Sequence, residues 1–251
     1  MINKLARLVP RPIRSSCFAH LKKLAPQQFL PDYSGLSFSQ CGEDRILSFL
    51  FGFLQIARPR YLDVGTCHPC SMNNTYLFYL QGADGVCVEP NPDLVSLIKE
   101  KRPRDVILNV GVSPDGAGEC RYFMFGEPCL NTFDAGEAEA RTRSGKYSLI
   151  RELSVPVVSL GSIIAEHFKD GLDLLSLDAE GLDLSLLRSL DYQMTRPLAI
   201  CVETVGYSET LAKPKSPEVT SFLTSAGYAV FADTFVNTIY VDLRQTGSLV
   251  V

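Results

Sequence analysis

The chain has 251 residues, of which 46% are hydrophobic and 21% charged, a composition that suits one globular domain with a full core. Residues 1–31 hold six basic and no acidic residues, and the remaining chain holds 18 Lys or Arg against 28 Asp or Glu. This acidic body excludes a broad nucleic-acid surface, because phosphate binding needs a clustered basic face.

We interpret residues 1–36 as a basic arm and residues 37–251 as one folded domain. The arm either stays solvated or touches an anionic membrane surface, and a transit peptide remains an alternative. No apolar run approaches the roughly 18 residues that span a bilayer. Eight cysteines, some within apolar runs as at Cys87 and Cys201, indicate reduced thiols and a cytoplasmic protein.

The first predicted helix of the domain follows Ser39, which we interpret as its capping residue. Apolar residues at helical spacing continue to Phe51, and acids at the helix start suit its dipole. One interpretation is a capped helix that only packs on a sheet. The other is that Gln40 and Glu43 reach a ligand at the helix start.

Two short apolar runs, 61–64 and 85–88, predict buried parallel strands joined by a helix in a βαβ unit. Gly65 directly after the first strand allows a tight turn and close approach of a ligand. Glu89 ends the second strand, where nucleotide-binding folds place a carboxylate that accepts hydrogen bonds from ribose hydroxyls. This pattern predicts a nucleoside-cofactor site on the first two strands.

Cys67 and Cys70 form a Cys-x-x-Cys pair after the first strand, a position compatible with redox or zinc chemistry. A zinc site needs four ligands, and the chain has no second pair at metal spacing. We favour loop residues that line the cofactor pocket.

The rest of the chain alternates helices and strands, with one segment that shows no periodicity. Residues 126–151 form this segment, which we interpret as a lid or substrate-recognition insertion. The other predicted elements are helix 92–101, strand 106–109, β segment 119–125, helix 159–168, a strand from Leu172, helix 183–190, strand 198–203, helix 216–226 and closing strands 228–232 and 238–241.

Acidic residues end most of the core strands. They are Asp63, Glu89, Asp178, Glu180 and Glu203. Parallel strands bring their carboxyl ends to one edge of the sheet, where ligands bind. Neither GxGxxG nor GxxxxGK[ST] is present, so the phosphate-binding fingerprints are missing. A cofactor with ribose and adenine but no phosphate suits such an edge, and S-adenosylmethionine also has a sulfonium cation that carboxylates favour.

At these residues the chain resembles the FkbM-type S-adenosylmethionine-dependent methyltransferases. The matching elements, in order over residues 37–242, are Ser39-Gln-x-Gly-Glu43-Asp44, Asp63-Val-Gly65 with His68-Pro69, Asn74-Thr75-Tyr76, Val88-Glu89-Pro-Asn-Pro92, Arg102-Pro-Arg-Asp105, Asn131-Thr-Phe133, Asp178-x-Glu180-Gly181 and Cys201-Val-Glu203-Thr204. The resemblance implies a Rossmann-like class I methyltransferase fold, with helices on both faces of a mostly parallel seven-stranded sheet whose last strand is antiparallel. It implies O-methylation of a hydroxyl on a saccharide or other secondary metabolite. Thr66-Cys67 departs from the alanine and asparagine more usual in relatives.

The resemblance also implies roles for individual residues. Asp63 and Gly65 would shape the methionine end of the pocket, Glu89 would hold the ribose, and Asn109 and Val110 would flank the adenine. The full cofactor-binding set is Gln40, Glu43, Asp63, Gly65, Thr66, Thr75, Glu89, Pro90, Asn109, Val110 and Asp178. Asp178 and Glu180 would face the transferred methyl group, one of them acting as base, and His68 is a second candidate base.

Three alternatives remain at this point. Asp178 and Glu203 would suit Mg²⁺ if the enzyme were metal-dependent, although we do not favour a metal. A non-catalytic S-adenosylmethionine-binding module is a second alternative. A nicotinamide dehydrogenase is a third, disfavoured because the glycine fingerprint is missing. The sequence identifies neither the acceptor nor the oligomeric state.

Overall fold

The computed structural model describes residues 35–116, 118–179, 181–205, 215 and 217–247. The helices in these ranges are α1 (Glu43–Phe53), α2 (Tyr76–Leu80), α3 (Pro92–Lys101), α4 (Ala135–Arg143), α5 (Leu160–His167), α6 (Asp183–Ser189), α7 (Pro217–Ser225) and α8 (Leu243–Thr246). The strands are β1 (Tyr61–Val64), β2 (Gly85–Val88), β3 (Val106–Leu108), β4 (Gly111–Val112), β5 (Glu119–Phe125), β6 (Leu149–Val158), β7 (Leu174–Leu177), β8 (Ala199–Glu203), β9 (Tyr228–Asp233) and β10 (Asn237–Asp242). Within these ranges no helix is long and apolar enough to cross a membrane.

Seven strands form the main sheet in the order β3-β2-β1-β7-β8-β10-β9. The pairs from β3 through β8 are parallel, and β10 runs antiparallel to both β8 and β9. The expected class I methyltransferase fold, with its antiparallel last strand, is therefore confirmed. The chain runs outward from β1 to β3 and then returns to β7 on the other side of β1. The carboxyl ends of β1 and β7 thus mark the point where such sheets open a ligand crevice.

The central strands β1 and β7 are buried on both sides, because helices cover both faces of the sheet. On one face Leu62 packs in a cluster with residues of α5, α6 and α7. On the other face Tyr61 packs in a second cluster with residues of α1 and α2. Successive strand residues point to opposite faces, so adjacent residues of β1 enter different clusters.

The segment 126–151, whose sequence shows no periodicity, nevertheless contains regular secondary structure. It contains a short 3-10 turn (Pro128–Leu130), helix α4 and the beginning of β6. The Asp134 side chain caps α4 by accepting a hydrogen bond from the Glu137 backbone N–H at 2.7 Å. Arg143 forms an ion pair with Glu139 four residues earlier. This helix is polar on most of its surface, so no apolar stripe reveals it in the sequence.

Residues 119–158 form a small unit built on β5 and β6, which contains the predicted insertion, residues 126–151. β6 pairs antiparallel with β5 and parallel with β4, which makes a second, three-stranded sheet. The insertion joins the main domain closely at Gly111, where an added Cβ would lie 2.5 Å from the Phe133 ring. The proposed basic arm falls largely on residues 1–34, which lie outside the described residues.

Candidate active site

Four strands of the main sheet end side by side at the proposed ligand edge. Val64 pairs with Val88 and Leu177, and Leu177 pairs with Val202. The residues that follow are neighbours in this register: Glu89, Gly65, Asp178 and Glu203. The ends of β2, β7 and β8 therefore bring the predicted acidic residues Glu89, Asp178 and Glu203 to one edge of the sheet.

Gly65 allows the ends of β1 and β7 to approach each other. Its φ of +77° lies in the left-handed region that favours glycine. An added Cβ would lie 2.0 Å from the backbone oxygen of Asp178. The Gly65 N–H donates to the Val88 carbonyl at 3.0 Å, and the Asp178 N–H donates to the Val64 carbonyl at 3.1 Å. Any side chain at position 65 would separate these strand ends.

Glu89 is a buried carboxylate held between two loops. One oxygen accepts from the Cys67 backbone N–H and the other from the Asn91 backbone N–H, both at 2.8 Å. Burial raises the pKa of Glu89 to about 7, although these two hydrogen bonds oppose the rise; the charge of Asp63 adds to it. A carboxylate oxygen has further lone pairs, so hydroxyl donors of a ribose would stabilise the ionised form. These features fit the ribose of S-adenosylmethionine.

Asn109 supports the same loop from β3. Its side-chain nitrogen donates to the Glu89 carbonyl at 2.9 Å and to the Pro90 carbonyl at 3.0 Å. Asn109 is exposed, and Val110 is half-buried against the core. Both residues lie beside the Glu89 loop, and their contact with an adenine stays a prediction.

Asp63 and Thr75 lie in the interior of the domain. Asp63 accepts hydrogen bonds from Asn73 at 2.9 Å and from the Thr75 hydroxyl at 2.8 Å. Both residues are buried, as is Thr66, whose hydroxyl donates to the Asp63 carbonyl at 3.0 Å. The side chains of Asp63 and Thr75 therefore hydrogen-bond to other protein groups, and their contact with a cofactor stays a prediction.

Arg102 is the centre of this buried network. Its guanidinium is 0% exposed and donates to Asp105 at 2.6 Å and to the Thr75 hydroxyl at 2.8 Å, with Asp63 at 3.5 Å. Tyr61 donates to the same Asp105 carboxylate at 2.8 Å. Burial opposes the charge of Arg102, but nearby Cys87, Asp63 and Asp105 raise its pKa. This network was not predicted, although its two central residues are the ends of the Arg102-Pro-Arg-Asp105 motif.

Glu43 is also committed to the protein. One carboxylate oxygen accepts from the Thr234 hydroxyl at 2.6 Å and from the Asn237 side chain at 3.0 Å, and the other accepts from the Cys41 N–H at 2.8 Å. Burial opposes ionisation, but these hydrogen bonds lower the pKa of Glu43. The carboxylate ties the start of α1 to the β9–β10 hairpin and is not free to reach a ligand. Gln40 is exposed in the preceding turn and remains a predicted ligand contact.

Ser39 is not the residue that caps α1. Gly42 occupies the N-cap position and offers no side-chain hydrogen bond. The Ser39 hydroxyl instead accepts the backbone N–H groups of Gly42 and Asp44 at 3.1 and 3.3 Å, and donates to the Asp44 carboxylate at 2.9 Å. Ser39 thus organises the turn before the helix and, from outside the N-cap position, also accepts one N–H of the first turn of α1, that of Asp44.

His68 accepts two backbone hydrogen bonds through one ring nitrogen. The N–H groups of Cys70 and Ser71 donate to Nδ1 at 3.1 and 3.0 Å. A neutral ring with these contacts carries its hydrogen on Nε2, because a hydrogen on Nδ1 would face two donors. His68 therefore orders the loop, and its proposed role as a base is not favoured.

Cys67 has a raised pKa that opposes redox chemistry at the Cys-x-x-Cys pair. Burial is the largest cause, and the neighbouring Glu89, Cys129 and Asp178 add to it, raising the pKa to about 12. A thiol reacts as its thiolate, so this cysteine is a poor nucleophile near neutral pH. Glu89 follows β2, Cys129 belongs to the insertion and Asp178 follows β7, so all three regions lie near the loop that holds Cys67.

Asp178 is exposed at the end of β7, in contrast to the buried Glu89. The turn after it is held by Asp183, whose carboxylate accepts the N–H groups of Ala179 and Gly181 at 3.0 and 3.3 Å. Burial raises the pKa of Asp183 against these hydrogen bonds. In the sequence Asp183 is typical of an acid at a helix start, and nothing there indicates its role in this turn. Glu180, the alternative to Asp178 as base, lies outside the described residues.

In the part of the chain that the structure describes, no group of three or more His, Cys, Asp or Glu residues is arranged to hold a metal ion. Asp178 and Glu203 end neighbouring strands, so the two proposed metal ligands do share one edge. Metal dependence stays a hypothesis that these two side chains alone do not support.

Solved structures that are similar to this chain include methyltransferases. A TehB-like S-adenosylmethionine-dependent methyltransferase from Corynebacterium glutamicum is 10% identical, with 92% of this chain and 100% of that chain covered and a TM-score of 0.39. A Burkholderia thailandensis 1,6-didemethyltoxoflavin-N1-methyltransferase with bound S-adenosylhomocysteine is 10% identical, with 91% and 85% covered and a TM-score of 0.38. A Bacillus cereus O-methyltransferase in complex with S-adenosylhomocysteine is 13% identical, with 94% and 93% covered and a TM-score of 0.37.

No curated protein matches the chain. The family model described as methyltransferase FkbM domain matches residues 63–230, which is more than half of the sequence. The matched range begins at Asp63 in β1 and ends within β9, so it includes the whole carboxyl edge of the parallel strands. The chain therefore belongs to the FkbM methyltransferase family, whose cofactor is S-adenosylmethionine.

Proposed function

We propose that this protein methylates a hydroxyl oxygen of a saccharide or other secondary metabolite. The observation that supports this proposal is the pairing of a buried and an exposed carboxylate at one sheet edge. Glu89 is held by two backbone N–H groups, and Asp178, next to Gly65, is open to solvent. A buried hydrogen-bond acceptor suits a cofactor that is held in one position. An exposed carboxylate suits a methyl-accepting molecule that must enter and leave.

The cofactor would lie along the loops that follow β1, β2 and β3. When bound, S-adenosylmethionine supplies an electrophilic methyl group on a sulfonium cation. Glu89 would accept hydrogen bonds from the ribose hydroxyls, and the backbone of Gly65 and Thr66 would contact the methionine end. Pro90, Asn109 and Val110 would line the adenine side.

Asp178 is the proposed base. Its carboxylate would accept the hydrogen of the acceptor hydroxyl and orient that oxygen toward the methyl group. The turn hydrogen-bonded to Asp183 keeps the backbone after Asp178 in place. Glu180 remains another candidate, because it lies only two residues after Asp178 in the sequence.

The insertion is the proposed source of acceptor specificity. Cys129, in its 3-10 turn, is close enough to Cys67 to influence the thiol pKa. Arg151 of β6 forms an ion pair with Asp93 at the start of α3, at 3.0 Å. The insertion therefore contacts the domain on both sides of the Glu89 loop, where it would form one wall of an acceptor pocket.

The first experiment is calorimetric titration with S-adenosylmethionine and S-adenosylhomocysteine. Replacing Glu89 with alanine removes hydrogen bonds to a charged group, each worth about 1.5–3 kcal/mol, so binding should weaken roughly tenfold to 100-fold. Glu100→Ala is the matched control, since Glu100 is exposed on α3 and pairs only with Lys101 in the described structure. Undiminished binding by a folded Glu89→Ala protein would refute the ribose assignment.

The second experiment measures transfer of a labelled methyl group to a panel of saccharides and hydroxylated metabolites. Asp178→Asn keeps a side-chain oxygen that can accept a hydrogen bond, so it should bind the cofactor within about tenfold of wild type but lose transfer by roughly 100-fold or more, the usual size of a general-base contribution. Saturable cofactor binding without transfer to any acceptor would favour the alternative, a non-catalytic binding module.

A further inference from the structure

Helix α1 exposes two large aromatic side chains on the side away from the core. Phe49 is 69% exposed and Phe53 is 65% exposed. They lie four residues apart and are therefore neighbours on one helix face. Leu80, at the end of α2, is 54% exposed. Leu47, Leu50 and Phe51 already bury the opposite face of α1, so core packing does not require Phe49 and Phe53.

A cavity of about 290 Å³ lies beside this part of α1, between α1 and α2. The cavity is lined by Ser48, Phe51, Gly52, Ile56, Ala57, Pro59, Phe78 and Gln81. Gly52 lies three residues after Phe49, so the two positions are neighbours on the helix surface. An added Cβ at Gly52 would meet nothing within 4 Å, which leaves this part of the helix open. We name Phe49, Gly52, Phe53 and this cavity the apolar face.

Arginine side chains border the apolar face. Arg45 lies one helical turn before Phe49, and the Arg58 side chain lies 3.5 Å from where a Cβ of Gly82 would be. Arg104 donates to the carbonyl of Tyr79, the residue before Leu80. Among the described residues, none of these three guanidinium groups has a carboxylate within ion-pair distance, whereas Arg60, Arg121, Arg143, Arg151 and Arg196 each have one.

We propose that the apolar face binds an anionic lipid surface. Phe49 and Phe53 would enter the boundary between headgroups and acyl chains, and the arginines would pair with lipid phosphates. Charge complementarity favours lipid over a second copy of this chain. A symmetric dimer would place these three arginines near the same arginines of the second copy, where like charges repel. Asp84 is the acidic residue in the neighbouring turn.

The sequence supplies a second membrane signal. Residues 1–31 carry six basic residues and no acidic one. Stable attachment generally requires two such signals, because a single weak one gives reversible binding. The inference does not depend on methyl transfer, so it can fail while the proposed function holds.

The absence of tryptophan from the whole sequence allows a specific reporter. Phe53→Trp places a single indole fluorophore on the apolar face, and Met194→Trp places one at a position whose side chain is 84% exposed elsewhere. With full-length protein and phosphatidylcholine vesicles containing about 30% phosphatidylserine, the tryptophan emission of the Phe53→Trp variant should shift to the blue and be quenched by brominated lipids. The emission of the Met194→Trp control should not change.

Co-sedimentation with the same vesicles tests the side chains themselves. Replacing Phe49 and Phe53 together by serine should reduce binding roughly tenfold or more, because both lose buried apolar area. Met194→Ser should bind as wild type does. These exposed phenylalanines do not support the core, so circular dichroism should show both variants folded.

Three outcomes would overturn the proposal. Wild-type protein that does not sediment with anionic vesicles has no lipid-binding face. Equal binding by wild type and the double serine variant would assign all binding to the basic arm. Conversion of a dimer to a monomer by the double variant, without lipid binding by wild type, would make the face a self-association surface.

Discussion

Glu89 should make the stability of the cofactor-free protein fall as the pH rises through neutrality. The carboxyl group has a pKa of about 7 in the folded protein against an ordinary value of 4.5. Each tenfold difference in proton affinity is worth about 1.4 kcal/mol, so the full effect is about 3 kcal/mol. Burial favours the neutral acid, whose stabilising contribution is complete below pH 4.5 and is lost as the pH rises through 7.

The measurement is urea unfolding at pH 5, 6, 7 and 8, followed by far-UV circular dichroism, for wild type and Glu89→Gln. The amide does not titrate in this range. Its nitrogen would face a backbone N–H that now donates to a carboxylate oxygen, a cost that does not vary with pH. Wild type should therefore lose about 2–3 kcal/mol relative to the variant between pH 5 and pH 8.

Glu152→Gln is the control for this experiment. Glu152 is exposed on β6, and its hydrogen bond with Arg121 lowers its pKa. Its titration therefore lies below the range tested, and the difference from wild type should stay constant. Parallel stability curves for wild type and Glu89→Gln would mean that Glu89 ionises normally, and the reasoning from burial would be wrong.

Three further substitutions test other parts of the site. Arg102→Met should lower the free energy of unfolding by about 3–5 kcal/mol in urea denaturation, because two buried carboxylates lose their cation. Gly65→Ala should weaken cofactor binding in calorimetry and also destabilise the fold, because its Cβ would overlap the backbone of Asp178. His68→Asn should retain cofactor binding and methyl transfer within about tenfold, since a side-chain oxygen can replace Nδ1 as the acceptor of the loop hydrogen bonds.

Each of these predictions has a matched comparison. Arg102→Lys keeps the charge but not the planar fork, so it should fall between wild type and the methionine variant. Gly145→Ala also changes a glycine with positive φ, but its Cβ would meet nothing within 4 Å, so only backbone strain of about 1 kcal/mol should appear. Loss of transfer by 100-fold in His68→Asn with intact binding would restore His68 as a base.

Local patterns predicted most of the elements. Helix 92–101 and the β segment 119–125 have the predicted bounds, because Pro92 marks a helix start and a short run rich in aromatic residues marks a strand. Helix α4 was missed because its sequence is polar, and β4 because it is only two residues long. Where structure depends on capping and ion pairs rather than on an apolar stripe, periodicity carries no signal.

The positions of the site residues along the strands were predictable from the sequence. The directions in which their side chains point were less predictable. The sequence placed Glu89, Gly65 and Asp178 at strand ends, and the sheet brings those ends together. The sequence also suggested ligand contacts for Asp63, Thr75 and Glu43, whose side chains turn inward to Arg102, Asn73 and Thr234. An acid at a strand end or a helix start is visible in the sequence, but its partner lies up to 194 residues away.

Residue types at short spacing were enough to predict the family, the class of cofactor and the alternation of strands and helices. Tertiary packing decides whether a carboxylate near a strand end joins the interior network or lies at the carboxyl edge of the sheet. Glu89 and Asp63 both lie at the ends of parallel strands, yet one is held by backbone N–H groups at the open edge and the other is paired with buried side chains. That distinction depends on which distant donors reach each oxygen, and only the folded chain brings those donors into place.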